Sequence, residues 1–130
     1  MNEVQNSNNK IVYHLEERTA QFGGKGIDFV RTLPTNLVNN QLVGRIVRSG
    51  KSIGTNYMEA DGAESKKDFR HKIAICKKEA KETKHWLRMI EKPKPNKKEE
   101  CRKLWTEAQE LTLIFSSIPL PRKNSAKGSL

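Results

Sequence analysis

Apolar and small side chains recur along the chain at alternating spacings of three and four, the period of a helix with one buried face. The first run is Leu15, Thr19, Phe22, Gly26, Phe29 and Leu33, and it predicts a helix from about Lys10 to Leu33, closed by Pro34. Gly23, Gly24 and Gly26 fall in its middle, where each costs on the order of 1 kcal/mol against Ala, so a bend or a close contact is expected there. The second run is Leu42, Ile46, Ser49, Ile53, Asn56 and Ala60, with Val43, Val47, Gly50, Gly54 and Tyr57 on an adjoining side. It predicts a helix from about 36–40 to Ala60, stopped by Asp61-Gly62-Ala63. Being apolar or small over most of its circumference, this helix is expected to be the most buried.

The third run, Phe69, Ile73, Cys76, Ala80, Thr83, Leu87 and Ile90, predicts a helix from Ser65 to Lys92. Asp68, three residues after Ser65, gives an approximate capping box, and Pro93 and Pro95 break the chain afterwards. The fourth run is Cys101, Leu104, Ala108, Leu111, Phe115 and Ile118, starting at Asn96 with Glu99 as its box partner and ending at Pro119 and Pro121. No stretch alternates with the period of a strand, and no internal repeat is present. Four helices joined by short breaks predict an all-α fold, an antiparallel up-down-up-down four-helix bundle over residues 10–118. A flexible N-terminus at 1–9 and a disordered basic tail at 119–130 complete the expected organisation.

Composition narrows the function classes. The chain has 130 residues, enough for one domain. No apolar run approaches the roughly 20 residues of a membrane-spanning helix, and the first residues lack the plan of a secretion signal. Membrane association is not expected. Two cysteines, Cys76 and Cys101, fit a reduced cytoplasmic setting and cannot by themselves build a structural zinc site.

The net charge is +10, and it is unevenly placed. Residues 1–64 are neutral overall, 65–103 carry +9, 104–118 carry −2 and the tail carries +3. A field concentrated in one segment points to a polyanionic partner more strongly than a high isoelectric point does.

The third helix sorts its charges by face. With Ile73, Ala80 and Leu87 at heptad position a, positions b, e and f form one outer arc. That arc holds Lys67, Arg70, Lys77, Lys78, Lys81, Lys84, Arg88 and Lys92, together with His71 and His85. Its one acid is Glu91, while Asp68, Glu79 and Glu82 fall on the opposite flank at c and g. Salt-bridge partners at i,i+4 would instead be interleaved. Three readings follow: a solvated face that serves solubility, a stripe that tracks the phosphates of RNA or DNA, or a surface for an acidic protein partner. No aromatic residue interleaves the stripe, so base stacking is not expected and sequence specificity should be weak. The c and g flank also carries Ile75, Trp86 and Met89, which with Tyr57 read as either a broad core face or a subunit interface.

Catalytic and metal chemistry is not expected. Glu82 and His85 form one Glu-x-x-His, but a di-iron bundle needs two such elements plus two further glutamates facing inward. Cys76 sits on the seam as a small hydrophobe, and Cys101 has no nearby His in sequence. Gly50-Lys51-Ser52 lacks the upstream glycine of a phosphate loop. The reading is therefore a non-enzyme with no cofactor and no metal. Ser49 and Asn56 on the seam, with Arg45, Glu59 and Glu79 flanking it, are expected to form a buried network that fixes helix register, the alternative being a ligand site.

Arg45-Ile46-Val47-Arg48-Ser49, Ser52-Ile53, Asn56, Glu59-Ala60, Lys67-Asp68-Phe69, Lys72-Ile73-Ala74-Ile75, Lys78-Glu79-Ala80, Glu82-Thr83 and Trp86-Leu87 together resemble the four helix bundle protein family. Some members of that family are encoded in intervening sequences of bacterial large-subunit ribosomal RNA genes. The resemblance spans about residues 12–118 and implies an antiparallel bundle that assembles as a homopentamer. A similar bundle is the basic accessory protein of diversity-generating retroelements, which implies contact with nucleic acid and with a reverse transcriptase. No catalytic residue carries over. The resulting expectation is a cytoplasmic, homo-oligomeric bundle that binds RNA or DNA backbone through its third helix. The alternative is a protein-interaction scaffold with no nucleic-acid role.

Overall fold

In the computed structural model, residues 4–5, 11–91 and 97–118 are described. Four helices follow one another: α1 Leu15–Val30, α2 Leu37–Asp61, α3 Lys66–Glu91 and α4 Lys98–Ser117. They form the expected four-helix bundle. Two short strands, β1 Val4–Gln5 and β2 Ile11–Val12, pair antiparallel ahead of α1. These strands leave no alternation in the sequence, since two residues are too short to carry a period, and the fold class remains all-α. The strand pair also shortens the first helix, which begins at Leu15 rather than Lys10. His14 stands before it with a left-handed φ of 52°, a conformation that no helix interior accommodates.

Local chemistry sets the other starts. Asn36 accepts from the backbone N–H of Asn39 at 2.8 Å and caps α2. Ser65 accepts from Asp68 N–H at 3.0 Å and caps α3. Asn96, the expected start of the fourth helix, and the tail at 119–130 lie outside the described residues.

The core follows the seams. Leu15, Phe22, Phe29, Ile46, Ile53, Ile73, Cys76, Ala80, Leu87, Ile90, Leu104, Ala108, Leu111 and Phe115 are all buried. Across α2 and α3, Ser49 meets Thr83, Ile53 meets Cys76 and Glu59 meets Lys72, so the two helices run antiparallel. Gly54 lies against Thr19, where an added Cβ would sit 3.5 Å from Thr19 Oγ1. Gly23 faces the Gly50 carbonyl, so the small residues mark a close approach of α1 and α2 and not a break in α1.

α2 is not the most enclosed element. Its second side, Val43, Val47, Gly54 and Tyr57, is half-buried, and Leu37, Val38 and Met58 are exposed. α4 buries Cys101, Leu104, Ala108, Leu111, Thr112, Ile114 and Phe115 within a shorter span. Between α1 and α4, the buried Arg18 guanidinium donates from Nε to Glu107 at 2.7 Å and also bonds Glu110. Its Nη1 is buried with no acceptor among the described residues. No helix among the described residues is long and apolar enough to cross a membrane.

Candidate nucleic-acid interface

The rotation of α3 within the bundle decides which of its charges are spent internally. Ile73, Ala80 and Leu87, with Cys76, Thr83 and Ile90, point into the core. The c and g flank then faces α2, the e row leans on α4, and the b and f rows face solvent.

On the α2 side, charges are paired. Arg48 Nη2 bonds Glu79 at 3.0 Å and Glu82 at 3.1 Å. Hydrogen bonding to Glu79 is the main cause that raises the Arg48 pKa. Trp86 Nε1 donates to Glu82 at 3.1 Å and, with Arg48, holds that carboxyl below its ordinary range. Lys72 on the same flank is bonded to Glu59 at 2.7 Å. The Arg45 guanidinium lies over the Trp86 ring, 5.4 Å from its centroid.

On the outer face, no ion pair joins the b- and f-row cations to an acid among the described residues. Lys67, Lys78, Lys81 and Arg88 are exposed, and His71 and His85 lie beside them. Lys78 also acts electrostatically on the Glu82 carboxylate. Arg70, Lys77 and Lys84, the e row, are half-buried. Lys84 bonds Gln109 on α4 and sits over the Trp105 ring, 5.3 Å from its centroid. Lys92, the last member expected in the stripe, lies outside the described residues.

The expected buried network is corrected: its five residues do not join. Glu79 pairs with Arg48 and not with Arg45, which is exposed. Asn56 turns back on its own helix and donates to Ser52 O and Oγ, both at 2.9 Å. Glu59 is an exposed partner of Lys72. Ser49 alone makes a buried contact across the seam, with Thr83 Oγ1 at 2.7 Å. Arg45 and Arg48 stand one turn apart on the same side, so spacing alone could not choose between them.

The four interface candidates are also divided. Ile75, Trp86 and Met89 share one flank of α3, with Met89 43% exposed. Tyr57 instead packs on Phe115, ring centroids 6.5 Å apart, and burial raises its pKa. Arg45 marks the position of Trp86 along α2, and Tyr57 lies twelve residues further on, about 18 Å at the helical rise.

The thiol of Cys76 is held in the core with its pKa pushed up to about 12 by burial, so it is not a nucleophile at neutral pH. Glu82 is engaged by Trp86 and Arg48. Among the described residues, no group of three or more His, Cys, Asp and Glu side chains is placed to hold a metal. The residue that sequence reasoning missed is Trp105. Its signal was weak because it lies on α4, and only the packing brings it to the Lys84 row.

The family model described as 23S rRNA-intervening sequence protein matches residues 16–117. Among solved structures, the chain is similar to a crystal structure of a protein of unknown function from the S23 ribosomal protein family of Bacteroides thetaiotaomicron. The TM-score is 0.70 and the identity 30%, covering 80% of this chain and 96% of that one. No curated protein matches the chain.

Proposed function

The chain belongs to the 23S rRNA-intervening sequence protein family, and from that premise we propose that it is a non-enzymatic, cytoplasmic homo-oligomer holding RNA or DNA backbone on the outer face of α3. One observation carries this reading. Of α3's four acids, Glu79 and Glu82 are engaged by Arg48 and Trp86, whereas Lys67, Lys78, Lys81 and Arg88 face solvent. The helix therefore presents a positive face that internal pairing does not neutralise. Such a face attracts phosphates and releases counterions on contact.

An exposed apolar edge supports the homo-oligomer part of this reading. The exposed Leu37 and Val38 at the start of α2 and Met89 near the end of α3 share one end of the bundle, beside the half-buried Trp86. A second copy covering this apolar edge would bring stripes together, and weak single contacts would add by multivalency. A pentamer, the assembly implied by the resemblance, would do so around a ring. The same edge also supports a second reading, in which a different protein such as a reverse transcriptase occupies it.

Filter binding of mixed-sequence RNA and DNA between about 50 and 200 mM salt tests the stripe. Four phosphate contacts per protomer predict a log–log slope of about −3 or steeper. A flat salt response, or no binding at the low end, overturns the proposal. Light scattering tests assembly: a monomer removes the homo-oligomer and leaves the partner-protein reading.

A further inference from the structure

We infer that the cleft between α3 and α4 seats one unpaired base of a single-stranded nucleic acid against Trp105, with Arg88 and Arg102 beside its phosphates. The inference rests on the nucleic-acid reading above and narrows its substrate class. The cleft has a volume of about 340 Å³ and is lined by Leu87, Arg88, Cys101, Arg102, Trp105 and Thr106. That volume is at the lower end of the range that holds small ligands.

The lining suits a flat, partly apolar group attached to an anion. Leu87 and Cys101 are buried and give an apolar floor. Arg88 and Arg102 are exposed at the rim, and none of the lining residues among those described is acidic. Trp105 is half-buried, so part of its indole remains at the cleft. Lys84 sits over that indole and is itself tied to Gln109, which holds the ring in place before any ligand arrives. Aromatic stacking beside a cationic track is how unpaired strands are held without sequence readout. A duplex keeps its base faces stacked and offers only phosphates, so it would use the α3 stripe and leave Trp105 idle.

The stripe continues from the cleft. Arg88 is both a cleft residue and a member of the exposed b row, with Lys81 two turns before it. A strand leaving the cleft therefore meets Lys81 and then Lys78.

A Trp86→Phe protein retains Trp105 as its single indole. It is titrated with oligouridylate, oligothymidylate and a blunt duplex, each of about 12 nucleotides, within the site size of single-strand binders. Fluorescence quenching by a single strand and none by the duplex is expected; quenching by one sugar type alone also supports the inference and identifies the sugar. In the otherwise natural chain, Trp105→Leu weakens single-strand binding about tenfold and leaves duplex binding unchanged, while Trp105→Phe retains most of it.

Equal losses for single strand and duplex, or single-strand binding without quenching, overturn the inference. Lys78→Glu with Lys81→Glu separates the two readings. If this pair weakens binding while Trp105→Leu does not, base seating fails and the stripe stands. If no strand binds at low salt, both fail.

Discussion

The two flanks of α3 differ in charge and in what their charges meet: the c and g flank mixes acids with Lys72, whereas the b and f rows carry cations. The flank facing α2 pairs its charges: Arg48 with Glu79 and Glu82, Lys72 with Glu59. The outward face keeps Lys67, Lys78, Lys81 and Arg88 in solvent. Among the described residues, one helix thus combines an edge whose charges are paired with one whose cations face solvent. Residue counts cannot distinguish the two, because what matters is which neighbour each row meets. The paired flank is a matter of stability, and the open face is available for a partner.

If that division is right, damage to one flank should leave the other's property alone. The largest stability effect is expected from Arg48→Met. Glu79 is 8% exposed and would lose its cation, whereas Arg48 is 53% exposed, so solvent screening limits the loss. A loss of about 2 kcal/mol in urea unfolding is expected, with nucleic-acid binding unchanged. A parallel fall in affinity would mean that the flanks are coupled.

A smaller effect tests the seam between them. Thr83→Val removes the buried partner of Ser49 Oγ and should cost about 1 kcal/mol by thermal unfolding. Adding Ser49→Ala should recover part of that loss, because the orphaned hydroxyl is then gone. An additive loss in the double variant would show that the contact contributes nothing as a pair.

The smallest effect is a pH dependence. Bonds from Trp86 and Arg48 favour the charged form of Glu82, so its folded pKa lies below the ordinary 4.5. The unfolded chain then takes up the proton first as pH falls. The contribution is present above pH 4.5 and is lost as pH drops through the lower folded value. A Glu82→Gln protein should therefore lose stability less steeply in acid than the natural chain. Identical acid profiles would remove Glu82 from the paired flank.

Much of this bundle was legible in the sequence because helix seams are local. The run from Ile73 to Ile90 named the buried line of α3, with Phe69 half-buried at its start, and Ser65 named its cap. The first helix was overextended because the left-handed turn at His14 leaves no periodic trace. Pairing across helices was less legible. Arg48 and not Arg45 reached Glu79, because the choice depends on the rotation of α2 against α3. Trp105 entered the candidate site for the same reason: its proximity to Lys84 is made by packing and not by spacing. Charge sorting along α3 was visible early, yet the division between the e row on α4 and the open b and f rows needed the neighbouring helix.

The most direct test is a pair of charge-matched variants assayed by filter binding at low salt. One carries Lys78→Glu, Lys81→Glu and Arg88→Glu on the open face; the other carries Lys25→Glu, Arg31→Glu and Lys51→Glu, exposed cations of α1, its exit turn and α2. Both change the net charge equally. Loss of RNA and DNA binding in the first, with the second near the natural affinity, is the predicted result; equal loss in both would attribute binding to overall charge and contradict a dedicated face on α3.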